Sequence, residues 1–138
     1  MNAVQGMSRR DREAVADRDD NSLLDRAHID QLCAVLGSKR VAALFVLLSK
    51  ELESRPMVIR NAVAAGDVSR ARYESHSFKG ATTSVGAVAL GKVAGAIERA
   101  PDLQAMAAWL PALDRQAART RRAFAGFHPS YAPGVEPG

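Results

Sequence analysis

Apolar residues recur every three or four positions along most of this chain, and that spacing constrains the fold more than any other feature. In the third such segment, the spaced positions are Ala71, Ser75, Phe78, Thr82 and Val85. This spacing is the periodicity of one helix face, whereas a half-buried strand alternates with a period of two. The pattern therefore predicts amphipathic helices and no strands.

The breaks between the apolar segments fall at residues that end or begin helices. Gly37 is predicted to end a first helix that starts near Ser22, and Ser38 to cap the second helix. Gly66 is predicted to end the second helix and Asp67 to cap the third. Two similar breaks precede the fourth and fifth segments. Five helices with short connections predict an all-α fold: an antiparallel up-down four-helix bundle with an additional short N-terminal helix.

Two prolines lie inside the helical segments. The apolar pattern resumes at Ile59 after Pro56, so we predict one bent helix there rather than two. Pro111 lies within the last segment, where it is expected to kink the helix or to mark a fresh helix start.

The composition predicts one helical domain between flexible ends. Apolar residues make up 47% of the 138 residues but aromatic residues only 5%, so the core is built from Ala, Leu and Val. Residues 1–20 show no apolar period and are expected to form a flexible arm, followed by the bundle in residues 21–126. Residues 127–138, rich in Pro and Gly, are expected to be a disordered tail. Cys33 is the one cysteine of the sequence, so no internal disulfide can form, and its place in the apolar pattern predicts a small core residue.

The charge and hydropathy of the chain disfavour two classes of partner. The net charge is +4, but the cationic cluster in residues 115–122 has no interleaved aromatic side chains on which bases could stack. The chain has no run of about 18 apolar residues and no secretory signal pattern. We therefore expect a cytoplasmic monomer that binds neither nucleic acid nor membrane.

The chemically informative segment surrounds His76. His76, Lys79 and Gly80 stand at i, i+3 and i+4, so they share one helix face, beside the buried stripe rather than on it. A neutral imidazole is a nucleophile near pH 7, and a nearby ammonium can offset the charge of a phosphoryl group. Glycine inside a helix costs about 1 kcal/mol relative to Ala, so a bare patch of backbone at Gly80 suggests the close approach of a partner.

This run resembles the signature of the histidine-phosphotransfer (HPt) family. The family motif is a His, a Leu two residues later, Lys-Gly, small residues, and a Gly-Ala before the next helix. Here His76-Ser-Phe-Lys-Gly is followed by Gly86-Ala87, and the resemblance covers roughly residues 22–124. Phe78 stands where the family usually has Leu, and we expect a packing adjustment there.

The resemblance implies a four-helix bundle that passes phosphate between the aspartates of receiver domains. By position, it implies that His76 is the phosphorylated residue, Lys79 its charge partner and Gly80 the residue of close approach. Response-regulator receivers are then the expected partners, with a hybrid histidine kinase as a further candidate. The chain would carry no cofactor or metal of its own, since the receiver supplies Mg²⁺. No nucleotide-binding motif is present in the sequence, so we expect a phosphoryl carrier rather than an enzyme.

Three other residues near His76 are candidates for the docking surface. Tyr73 and Thr83 stand at i−3 and i+7 from His76, and Arg72 at i−4 is a candidate second cation. Part of the helix in residues 44–52 is expected to contribute as well. His28 and His128 lack metal-ligand spacing to His76 and are assigned no role.

Three alternative functions remain open from the residues alone. One is an interaction-only bundle that does not transfer phosphate, and another is a basic nucleic-acid-binding helical protein. A hydrolase that uses His76 is the weakest, because Glu74 points about 200° away around the helix and forms no acid–base pair.

Overall fold

The computed structural model describes residues 23–130, and five helices lie wholly within that range. They are α1 (Arg26–Leu36), α2 (Ser38–Ala64), α3 (Val68–Ser84), α4 (Val88–Arg99) and α5 (Leu103–Ala125). The described residues contain no strand, so the all-helical prediction is confirmed for them. The predicted arm in residues 1–20 and residues 131–138 of the predicted tail lie outside the described residues.

Aspartates cap three of these helices. The carboxylates of Asp25, Asp67 and Asp102 each accept a hydrogen bond from the backbone N–H three residues later, at 3.2, 3.0 and 2.8 Å. Each bond satisfies a donor that the first helical turn leaves unpaired. The predicted Asp67 cap is therefore confirmed. The predicted Ser38 cap is wrong: Gly37 occupies the N-cap position with a φ of 86°, and Ser38 is the first residue of α2.

Both prolines lie inside continuous helices. Helix α2 runs through Pro56 as a single helix, as the resumed apolar pattern predicted. Helix α5 likewise runs through Pro111, so this proline does not start a new helix.

The core lies among α2, α3, α4 and α5. Helix α3 packs against α2 and α4, α5 packs against the same two helices, and α1 packs on α2. Every predicted stripe residue of α3 is buried, with Ala71 and Ser75 fully inaccessible to solvent and Phe78 only 2% exposed. Cys33 is buried in the same core, as predicted. Phe78 thus lies in the centre of the packing.

An aromatic cluster joins the beginning of α2 to the end of α5. The rings of Phe45 and Phe124 stack with their centroids 4.0 Å apart and an interplanar angle of 4°. Phe127 meets Phe45 edge-on at 4.9 Å, although its position falls in the segment predicted as tail. Since aromatic pairs contribute beyond the area they bury, this cluster holds the two helix ends together.

Helix α1 is fastened to the turn between α3 and α4. The backbone N–H of Asp25 donates to the carbonyl of Gly86 at 2.8 Å, and His28 Nε2 bonds the Ser84 carbonyl at 2.7 Å. Gly86 has a φ of 80°, and a Cβ there would lie 3.2 Å from both the Asp25 carbonyl oxygen and an Ile29 side-chain carbon. His28 therefore has a structural role that its sequence position did not indicate.

Arg55 of α2 makes two charge contacts on the outside of the core, one within α2 and one to α3. The Arg55 guanidinium bonds Glu51 at 2.8 Å and Glu74 at 3.1 Å. The hydrogen bond to Glu51 raises the pKa of Arg55. Of the helices described, none is by itself long and apolar enough to cross a membrane, and α1 with α2 qualifies only as a pair bent by 118°.

Candidate functional site

Helix α3 turns His76 away from the core. Its sequence neighbour Ser75 is fully buried and Phe78 nearly so, and both face the interior. The side chain of His76 is 72% exposed. The imidazole therefore stands at the surface, one position beside the buried stripe, as the spacing predicted.

The site lies along the line of contact between α3 and α4. Four pairs of neighbouring residues follow this line in order: Arg72 with Ala100, the C-cap of α4, then His76 with Glu98, Lys79 with Gly95, and Thr83 with Gly91. The residue numbers rise along α3 while they fall along α4, so these two helices run antiparallel.

Glu98 of α4 holds one nitrogen of the His76 ring. His76 Nδ1 lies 2.8 Å from Glu98 Oε1, and the Glu98 side chain is 26% exposed. A carboxylate accepts hydrogen bonds, so we assign the ring proton to Nδ1. The lone pair of the neutral ring then resides on Nε2.

Sequence reasoning missed Glu98, because it lies 22 residues from His76 on another helix. One signal was available. Glu98 stands at i+3 from Gly95 and i+7 from Gly91, so it lies on the same helix face as the two glycines. A face with two glycines allows a neighbouring helix to pack closely.

The two glycines of α4 make room for side chains of α3. A Cβ on Gly91 would lie 2.9 Å from Thr83 Oγ1, so a larger residue there would force the neighbouring side chain to move. A Cβ on Gly95 would lie 3.4 Å from Lys79 Cδ and 3.6 Å from its Cε. The stem of Lys79 therefore lies along the bare backbone of α4, in the turn next to His76.

Gly80 and Tyr73 lie on the outward side of α3. Gly80 is exposed, and no heavy atom of its described surroundings, in residues 23–130, lies within 4 Å of the position a Cβ would take. The packing of the part of the chain that the structure describes therefore does not require glycine at this position. Tyr73 is 71% exposed, and Thr83 is also exposed. Arg72 donates from Nη2 to the carbonyl of Ala100 at 3.1 Å, so its guanidinium is engaged at the end of α4.

Glu74 faces α2 and pairs with Arg55, with only 16% of its side chain exposed. It therefore makes no acid–base pair with His76, as its helical position indicated. Within residues 23–130, no three His, Cys, Asp or Glu side chains come together in a group that could hold a metal ion.

Comparison with known families adds the last observation. The model of the Hpt domain matches residues 43–123, which is more than half of the chain and includes α3, α4 and the whole contact between them. Searches of curated proteins and of solved structures gave no match. Hpt domains are phosphocarriers rather than kinases, and they interact with receiver domains and histidine kinases. The chain therefore belongs to the Hpt domain family and takes part in two-component phosphorelay phosphotransfer.

Proposed function

We propose that this chain accepts a phosphoryl group on Nε2 of His76 from the aspartyl phosphate of one receiver domain and passes it to an aspartate of another. The observation that carries the proposal is the contact between His76 Nδ1 and Glu98 Oε1 at 2.8 Å. This contact leaves Nε2 as the nucleophilic atom of a ring whose side chain is 72% exposed.

The transfer step follows from this arrangement. Nε2 of the neutral ring attacks phosphorus, so an N–P bond forms while the acyl O–P bond of the donor breaks. The aspartate leaves as a carboxylate with the electron pair of that bond. The ring of His76 keeps its Nδ1 proton and becomes cationic, and the adjacent Glu98 carboxylate offsets that charge. Transfer to the next aspartate reverses these changes.

In this proposal the partner supplies the remaining chemistry. The receiver contributes its aspartate and its Mg²⁺, while the chain holds no cofactor of its own. Lys79, whose stem lies on Gly95, places its ammonium near the phosphoryl group. Gly80 lets the receiver surface approach, because the space in front of it is open.

The docking surface and the fold complete the proposal. Arg72, Tyr73 and Thr83 border the approach to His76, and the exposure of Tyr73 supports a contact with the receiver. We also propose that α2 to α5 form the antiparallel up-down bundle. Their short connections and the contacts of each helix with two others support it.

The test is phosphotransfer from a phosphorylated receiver domain to the purified chain. Wild type, His76→Gln and the control His128→Gln are compared. We expect acid-labile, base-stable label on wild type and His128→Gln and none on His76→Gln. Label that persists on His76→Gln would exclude this site. An unlabelled wild type across a broad panel of receivers would favour a bundle that binds its partners without transfer.

A further inference from the structure

A second cation lies beside Lys79 on the same bare stretch of α4. The position that a Cβ on Gly95 would take is 3.0 Å from Arg99 Nη1. The same point is 3.6 Å from Lys79 Cε. The guanidinium of Arg99 and the end of the Lys79 stem thus converge around one glycine, although they come from different helices.

Arg99 has no structural duty that explains this position. An arginine in the last turn of a helix commonly serves the unpaired carbonyls at the C-terminus. Here Arg72 bonds the carbonyl of Ala100, and the side chain of Arg99 extends back by one turn to Gly95. Within the part of the chain that the structure describes, its guanidinium has no hydrogen-bond or ion-pair partner.

The position of Arg99 fits the charge that the site must hold. The contact between Lys79 and Gly95 lies one helical turn from the contact between His76 and Glu98. In phosphorylated His76 the Glu98 carboxylate offsets the charge of the cationic ring, so the negative charge of the phosphoryl group on Nε2 is left to one lysine. A guanidinium offers several donors in a planar fork that suits phosphate oxygens.

We infer that Arg99 is the second cation of the site and that it binds the phosphoryl group of phosphorylated His76 together with Lys79. This inference rests on the proposed function, because it needs phosphohistidine at His76. It assigns the role of second cation to Arg99 rather than to Arg72.

The experiment compares Arg99→Gln with Lys92→Gln, which removes the same charge from an exposed position on the same helix. Each variant is labelled by a phosphorylated receiver and by phosphoramidate, a small donor that has no docking surface. We expect Arg99→Gln to be labelled about five-fold more slowly by both donors, the size of a favourable exposed charge interaction. Lys92→Gln should behave as wild type, and Arg99→Lys should recover most of the rate.

A double-mutant comparison separates a shared role from a general one. In a Lys79→Gln background, the effect of Arg99→Gln should change, because both cations would bind the same group. Equal slowing by Arg99→Gln and Lys92→Gln would overturn the inference. Slowing of Arg99→Gln with the receiver but not with phosphoramidate would also overturn it, because it would indicate a docking contact. Wild type that takes no label from either donor would overturn the proposed function as well. Label on wild type with an unaffected Arg99→Gln would overturn only the inference.

Discussion

Replacing Glu98 is expected to slow phosphotransfer while making the fold more stable. Glu98 Oε2 is buried and has no hydrogen-bond partner among residues 23–130, so the folded state leaves an acceptor desolvated. Glu98 Oε1 makes its bond to a His76 ring that is 72% exposed, and water can replace that bond. Methionine has a similar length and no acceptor to bury. Glu98→Met therefore removes an unfavourable contribution to the folding free energy. It also removes the carboxylate that would offset the positive charge of the His76 ring during transfer.

The two effects can be estimated separately. An unsatisfied buried acceptor costs about 1–3 kcal/mol, and the partial exposure of Glu98 places it at the lower end. The bond to the exposed ring contributes up to about 1 kcal/mol to stability. The free energy of unfolding should therefore rise by up to about 1 kcal/mol. Loss of about 1 kcal/mol of charge stabilisation in the transition state slows transfer about five-fold.

The assay pairs urea unfolding, followed by circular dichroism, with the labelling rate from a phosphorylated receiver. The matched control is Glu74→Gln, because Glu74 is partly buried and pairs with Arg55 rather than with His76. Glu74→Gln should lower stability by about 1 kcal/mol and leave the labelling rate unchanged. Glu98→Met that transfers at the wild-type rate, or that unfolds at lower urea than wild type, would refute this reasoning.

Three further predictions concern α3 and the turn after it. Ser75→Ala should raise the free energy of unfolding by about 1 kcal/mol, because its buried hydroxyl has no partner within the described part of the chain, whereas Ser77→Ala should change urea unfolding less. Gly80→Ala should stabilise α3 by up to about 1 kcal/mol in the same assay. It should also slow labelling by a receiver but not by phosphoramidate. If the variant and wild type are labelled at the same rate by the receiver as well, close approach at Gly80 is contradicted. Gly86→Ala should destabilise the chain by at least about 1 kcal/mol, because its φ is 80° and its Cβ would crowd Asp25. Faster hydrogen exchange in α1 checks this, and unchanged exchange would contradict it.

The helices could be located from the sequence because their signals are local. The buried positions of α3 repeat every three or four residues, and the Asp67 carboxylate caps a backbone N–H only three residues later. Ser38 was misassigned because Gly37 alone connects α1 and α2, so the residue that ends one helix also precedes the next. With a connection of one residue, the rules for helix ends and helix starts compete for the same position.

The site could be predicted only as far as one helix extends. His76, Lys79 and Gly80 are linked by helical spacing, so their shared face could be read directly. Glu98 and Arg99 depend on how α4 is aligned against α3. The spacing of Gly91, Gly95 and Glu98 indicates which face of α4 is packed, but the alignment of that face along α3 is set by the packing of the two surfaces.

The stack of Phe45 on Phe124 bears on how this protein can be divided. The matched range of the Hpt domain ends at residue 123, one position before Phe124, and begins after α1. A fragment trimmed to those limits would leave Phe45 without its stacked ring and would uncover the surface on which Ile29 and Cys33 pack. The smallest fragment that keeps both the aromatic cluster and helix α1 with its Asp25 cap extends from Asp25 to Phe127, beyond both limits of the matched range.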